Sequence, residues 1–424
     1  MHNLQYFTDR AFISGLPVGL PEAMRKQGLI APEQSKVHFC GFFSWKGGTA
    51  VFLPVNSDVN VKPELSAHWL LQTLNRYYAD KMTGLKDTGG ESLIGGSLLS
   101  LSVELFEDYR SNGLYVRRNR LRTVNQGKVN WSRTVSRHTP YPSASAPVYL
   151  DLESSRTRYV SNCETARIHA AVIQDIRLKF GVLLYGDEQE SDDRLDTMPP
   201  PWGDSEAWLA YLNRELALSY SERDITLIKS LSRYIDNSQG SDEDSLIIGT
   251  RHFHGVWESM LDYSLEGVAQ YNRKLAVPYY LMNGLYHEVA DKGQRTDTVI
   301  RSENHFAVVD AKYYGASSPG RAPGWPDIVK QLYYQKAVQD AESGSAVVTT
   351  HFVFPGSEAK LISAHVSSRG QHKSEVLDNS AGYPVIHCHY CEPVELMRAY
   401  VSYRRLPALR TQILNSGENA RLSV

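Results

Sequence analysis

Apolar positions in the C-terminal half of this chain switch between two periods. In HFHGVWESMLDYSL, Trp257, Met260, Leu261 and Leu265 recur at helical spacing. The stretch QRTDTVIRSENHFAVVDAKYY then reads as two short apolar runs joined at a polar turn around Glu303 and Asn304. Asp297 opens the first run, and Phe306 to Val309 form a buried strand ending in Asp310-Ala311-Lys312. Asp327 begins DIVKQLYYQKAV, a second helical pattern that carries Gln331 and Tyr334. The order is helix, hairpin, helix.

Nearer the N-terminus, VHFCGFFSWKGGTAVFLPV is two apolar runs joined at Lys46-Gly47-Gly48, where glycine supplies the positive φ of a tight turn. Pro63 opens a helix with Leu65, Trp69, Leu70, Leu74 and Tyr77 on one side. SLLSLSVELFEDY predicts another helix, and residues 164–184 and 206–235 predict more. Gly89-Gly90 and the acidic polar stretch NSQGSDEDS mark breaks. These signals predict three parts: a small α+β module over 1–90, a mostly helical middle domain over 91–242, and an α/β domain over 243–424 with a mixed sheet flanked by helices.

At 424 residues each part is large enough for its own core, and 42% hydrophobic with 22% charged residues is ordinary for a soluble globular chain. The formal net charge of −2 leaves any nucleic-acid surface to be local. The four cysteines, Cys40, Cys163, Cys388 and Cys391, are too scattered for a disulfide framework, which points to a reducing cytoplasm. Neither a leader-like N-terminus nor a long apolar run is present, so no export or membrane span is expected.

Strand alternation puts Asp310 and Lys312 on one face while Ala311 turns away. Two carboxylates, Asp297 and Asp310, could hold a hard cation, and the Lys312 ammonium could serve an attacking water. Glu258 is available as a further carboxylate, although a Glu on an amphipathic helix is usually just solvated. Asp310 and Lys312 are expected at a solvent-reachable strand end. Elsewhere, no acidic residue occurs between Asp108 and Asp151, where Arg117, Arg118, Arg120, Arg122, Lys128 and Arg133 are interleaved with Tyr115 and Trp131. That pattern suits phosphate contacts with stacking, or an acidic partner surface.

On VWESML, RTDTVI, VVDAKYY and DIVKQLYYQ, together with GKVNWSRTVSRHTPYPSASAPVYLD in the middle, the chain resembles the LlaJI family of restriction endonucleases. These are relatives of the McrC nuclease subunit with a PD-(D/E)xK catalytic domain. The resemblance implies Mg²⁺-dependent cleavage of double-stranded DNA, with Mn²⁺ able to substitute, in defence against phage. It implies that Asp297 and Asp310 bind metal, Glu258 assists them, Lys312 serves the water and Gln331 supports the site from its helix. It also implies a McrB-like AAA+ NTPase partner, since WKGGT and TGGES lack the Lys-Ser/Thr ending of a phosphate loop. Gln335 departs from the pattern, standing where related nucleases often have Tyr.

His387, Cys388, His389 and Cys391 crowd IHCHYCEP too closely for one tetrahedral ion, and an alternating strand is the expected state. Tyr286-His287-Glu288 lacks the second His of a metalloprotease helix. Two other readings remain at this stage: a noncatalytic adaptor of an AAA+ DNA motor, and a stand-alone DNA-repair nuclease.

Overall fold

Three short apolar runs build the N-terminal sheet: Leu4–Thr8 (β1), Cys40–Trp45 (β2) and Gly48–Leu53 (β3). β2 and β3 pair antiparallel as the expected hairpin, and β1 adds to β3 in parallel. Between β1 and β2 lies a short helix, Leu20–Lys26 (α1), whose Leu20 and Met24 pack with Phe39, Phe43 and Phe52. Pro63–Met82 (α2) follows with Leu70, Leu74 and Tyr77 buried, Trp69 half-buried, and Leu65 exposed in its first turn. The computed structural model describes residues 4–45, 47–82, 94–143, 146–185, 193–239, 247–290, 293–342, 346–369 and 383–419. Lys46, the break at Gly89-Gly90 and most of NSQGSDEDS lie outside them.

The chain divides into two compact units, one formed mainly by Met1–Leu99 with Glu243–Val424, the other by Ser100–Leu184 with Glu188–Asp242. In the second, Gly96–Asn112 (α3) leads into Arg117–Val124 (β4), Lys128–Val129 (β5), the short helix Trp131–Arg137 (α4) and Glu153–Val160 (β6). The three strands form an antiparallel sheet in the order β4-β6-β5 within an otherwise helical unit. Four helices complete it: Glu164–Tyr185 (α5), Asp193–Asp196 (α6), Ser205–Leu218 (α7) and Glu222–Gln239 (α8). The single helix expected over 206–235 is therefore two. Ser219 ends α7 in extended backbone, with its hydroxyl donating to the Glu215 carbonyl, the local competition by which serine interrupts a helix.

Ile247–Thr250 (β7) returns to the first unit and pairs antiparallel with β2, giving the sheet order β1-β3-β2-β7. Strands about 200 residues apart in sequence thus share one sheet. The expected helix is Phe253–Ser264 (α9), with Trp257, Met260 and Leu261 fully buried. Tyr279–Met282 (β8) and Leu285–Glu288 (β9) form an exposed hairpin, turned by Asn283-Gly284 with both residues at positive φ.

The five-stranded mixed sheet has the order β10-β11-β12-β14-β13. Its strands are Thr298–Ser302 (β10), His305–Ala311 (β11), Val347–Pro355 (β12), Ser363–Ala364 (β13) and Ile386–Cys391 (β14). β10 and β11 are the antiparallel hairpin read from sequence, closing at Glu303-Asn304 with Glu303 at φ 51°. β11, β12 and β14 run parallel, and Trp325–Ala341 (α10) makes the crossover between the first two. Pro326 sits in the first turn of α10, where its fixed φ suits helix initiation. Tyr334 and Val338 of α10 pack on Phe306 and Val308, so Asp310 and Lys312 continue that same face of β11. Two helices, Pro393–Val401 (α11) and Pro407–Asn419 (α12), complete the chain.

The N-terminal sheet grips the end of β11. Arg10 Nη2 donates to the Tyr313 carbonyl at 2.7 Å, and the Val55 N–H donates to the Tyr313 hydroxyl at 2.9 Å. Asn56 Nδ2 donates to the Pro355 carbonyl at the end of β12 at 2.8 Å. The residue after Lys312 is therefore anchored on both its backbone and its side chain.

Candidate active site

Hairpin register sets the first contact. Thr298 stands opposite Val309, so Asp297 and Asp310 meet at the open end of the β10–β11 pair. Asp297 Oδ2 accepts the backbone N–H of Ala311 at 2.9 Å. Lys312 Nζ lies 2.8 Å from Asp310 Oδ2 and 2.7 Å from Asp327 Oδ1. The Tyr314 hydroxyl donates to the other Asp327 oxygen at 3.2 Å. Lys330 Nζ closes the group, 3.6 Å from Asp310 Oδ1 and 4.0 Å from Asp297 Oδ1.

Burial makes these charges matter, because an ion pair out of water is screened far less than one on the surface. Asp310 is only 2% exposed, which corrects the expectation of a solvent-reachable strand end. The reason is that Lys312 and, from α10, Lys330 lie against it. Burial raises the Asp297 carboxyl well above the usual carboxylate range. The charge of Asp310, a hydrogen bond with it, and Glu258 push the same way, while Lys330 opposes them. Burial likewise raises Glu258; Lys330 and Lys312 oppose that rise and Asp310 adds to it, so α9 delivers its carboxylate to the same cluster.

Burial would discharge Lys312, but Asp310 and Asp327 outweigh it and raise its pKa. Lys330 behaves alike: burial works against its charge and Asp297 and Asp310 more than restore it. Burial would raise Asp327, but the Lys312 contacts, the Tyr314 hydroxyl and the Gly324 backbone together bring it below its ordinary value. Four carboxylates and two ammonium groups thus form one network.

Gln331 is fully buried and reaches the sheet rather than the carboxylates. Its Nε2 donates to the His351 carbonyl on β12 at 2.8 Å, and its Oε1 is buried without a partner. Gln335 Nε2 donates to the Val348 carbonyl at 2.9 Å, and the Tyr334 hydroxyl to the Arg295 carbonyl at 2.6 Å, two residues before Asp297. These bonds fix α10 to β12 and to the segment before β10. Sequence reasoning missed Asp327 and Lys330 as members. Their signal was spacing, since Asp327, Lys330, Gln331 and Tyr334 follow i, i+3, i+4, i+7 on one helical face.

The donor set suits a hard divalent cation: carboxylate oxygens, crowded and buried, with no sulfur or imidazole among them. Among the described residues no three carboxylate, histidine or cysteine side chains are already gathered at metal-ligand geometry. In this arrangement the carboxylates are held by ammonium groups.

The basic segment lies in the other unit. Arg118, Arg120 and Arg122 alternate along β4 onto one face, opposite Tyr159, Thr157 and Ser155 of β6, and Lys128 shares that face through its pairing with Ser155. All four are exposed, and among the described residues none is paired with a carboxylate. Arg117 differs: half-buried, it binds the Glu215 carboxylate and donates to the Tyr211 hydroxyl at 2.7 Å. Trp131 opens α4 with its ring exposed, and Arg133 in the same helix is half-buried.

Further from the site, β14 is the strand expected of IHCHYC, and all four cysteines are free and buried. His351 Nδ1 and His389 Nε2 are 3.1 Å apart, and the His351 ring stacks on His387 at 5.4 Å. Among the described residues no helix is long and apolar enough to cross a membrane.

Comparison with known proteins agrees with the sequence resemblance. The curated protein named Type II restriction enzyme BsuMI component YdjA, from Bacillus subtilis (strain 168), is 30% identical over 249 residues, 55% of this chain and 52% of that protein. The match thus spans about half the length of that relative. Two solved structures also match at 12% identity. One is a refined half-complex from a tetradecameric assembly of Thermococcus gammatolerans McrB AAA+ hexamers with bound McrC, at a TM-score of 0.41 over 95% of this chain and 98% of that one. The other is a Thermococcus gammatolerans McrBC complex, at 0.24 over 58% and 81%. The model of the LlaJI restriction endonuclease family matches residues 39–367, well over half of the sequence, and the chain belongs to that family.

Proposed function

We propose that this chain is the nuclease subunit of a prokaryotic restriction system acting against phage DNA, a Mg²⁺-dependent DNA endonuclease with a PD-(D/E)xK site. The observation that carries the reading is the meeting of Asp297, Asp310 and Lys312 at one end of the β10–β11 hairpin. Asp297 and Asp310 would hold the metal, with Glu258 assisting, and Mn²⁺ would substitute. When bound, the ion supplies charge stabilisation at the phosphate and a lowered pKa for a water.

The chain's own groups do the rest. Lys312, clamped by two carboxylates and with a raised pKa, stays protonated, so it orients water by donating and offsets charge on the phosphate rather than acting as a base. Gln331 supports the site by fixing α10 to β12. Arg118, Arg120, Arg122 and Lys128, with Trp131 and Arg133 nearby, form the surface for the DNA backbone or for a partner, and Arg117 braces it from behind. The partner is a McrB-like AAA+ NTPase, as the sequence resemblance to the LlaJI family implies, and the curated relative is itself named as one component of a restriction enzyme. The compartment is the cytoplasm.

Duplex DNA incubated with the purified chain, Mg²⁺, the partner and its nucleotide tests the reading. Endonucleolytic products that vanish with chelator support it. Intact DNA under all these conditions, with partner binding retained, would favour the adaptor reading instead.

A further inference from the structure

Two lysines face the buried carboxylates, and they are held differently. Lys312 is pinned, 2.8 Å from Asp310 and 2.7 Å from Asp327, with its side chain 12% exposed. Lys330 approaches from the helix side at 3.6 and 4.0 Å, distances longer than a charge-assisted hydrogen bond, and its side chain is 39% exposed. Its ammonium lies 5.3 Å from the Tyr334 ring centre. Lys330 is therefore more open to solvent than Lys312. The helix itself does not need to move, because Gln331, Tyr334 and Gln335 anchor it to the sheet and to the segment before β10.

The position Lys330 occupies matters more than its charge alone. Its Nζ faces Oδ1 of Asp297 and Oδ1 of Asp310 together. Oδ2 of each is engaged elsewhere, with the Ala311 N–H and with Lys312. A cation held by Asp297 and Asp310 would therefore compete with the Lys330 ammonium for the pair.

Resting on the metal-site reading above, we propose that Lys330 is the resident counter-cation of the Asp297–Asp310 pair, a positioning residue that keeps the carboxylates together until a divalent cation replaces its ammonium. Cation entry is then an exchange of one positive group for another. The cluster never has to hold its carboxylates together unneutralised, a state that burial makes costly. The exchange also weakens cation binding, because some of the affinity is spent in moving Lys330 aside.

Calorimetric titration of Ca²⁺ and of Mn²⁺ into the metal-free full chain, without DNA, tests this. Wild type is compared with Lys330→Met, Lys330→Gln and Lys330→Arg, with Asp310→Asn as the control for the site. Removing the ammonium that the cation must displace should tighten binding about tenfold in the Met and Gln variants, while Arg binds no more tightly than wild type. In chelator, the Met variant should melt below wild type, and saturating Ca²⁺ should narrow the gap. Equal or weaker binding by folded Met and Gln variants overturns the proposal and leaves the metal site standing. Wild-type binding that is absent, or unaffected by Asp310→Asn, overturns the metal site and this proposal with it.

Discussion

Asp327 Oδ1 lies 2.7 Å from Lys312 Nζ, so the helix that follows the site supplies the second carboxylate that holds the lysine beside Asp310. Asp327→Asn keeps the shape and removes that charge. Lys312 should then be less firmly placed, and its raised pKa should fall. Asp327 is a third exposed, so the fold should lose less than about 1 kcal/mol. We expect DNA cleavage to fall about tenfold or more with DNA binding retained. Undiminished cleavage by the variant would show that the second carboxylate is not needed.

Gln331 is an expensive way to hold a helix, with one end bonded to the His351 carbonyl and the other buried without a partner. Gln331→Leu removes the bond and the unpartnered oxygen together. The two effects oppose, and stability should change by no more than about 1 kcal/mol. Cleavage should nevertheless drop about tenfold, because α10 carries Asp327 and Lys330. If denaturant unfolding shows a loss of several kcal/mol and activity merely follows the folded fraction, Gln331 is structural.

The buried histidines His351 and His389 set an acid limit. Burial holds His351 well below its ordinary pKa, and neighbouring His389 adds to this; burial lowers His389 itself to about 4. A histidine lowered on folding binds its proton more readily when unfolded. Its penalty is absent above the unfolded value near 6.5 and grows as pH falls towards 4. His389 alone should cost about 3 kcal/mol by pH 4. His389→Gln should flatten the loss of melting temperature between pH 6.5 and 4, and an unchanged slope would count against this assignment.

Arg118, Arg120 and Arg122 share one exposed face of β4, whereas Arg117 is tied to Glu215. Replacing the three together by Gln should weaken association with DNA or with the partner and reduce the salt slope by about three units if all touch phosphates. Arg117→Ala should instead lower the melting temperature. Unchanged binding to both ligands by a folded triple variant would remove the role.

Much of the nuclease-like half was legible because its signals are local. The period-two run ending at Lys312, the polar turn at Glu303-Asn304 and the flanking helices each announce themselves within a few residues. Asp327 and Lys330 were not, since a charged residue on a helix looks solvated until a partner stands opposite it. β7 joins a strand more than 190 residues earlier, a pairing no local pattern contains. The basic sheet was also hidden, because RRNRLRTV offers no apolar alternation and its strand is held mainly by pairing with β6.

Cleavage by Asp310→Asn and Lys312→Ala most directly tests the proposed roles of Asp310 and Lys312 in cutting DNA. Asparagine keeps the shape of Asp310 and removes the charge a hard cation requires; alanine removes the ammonium proposed to orient a water. With Mg²⁺, partner and nucleotide present, and folding checked by thermal unfolding, both variants should show no cleavage above background while still binding the partner. Cleavage at the wild-type rate by both would contradict the account.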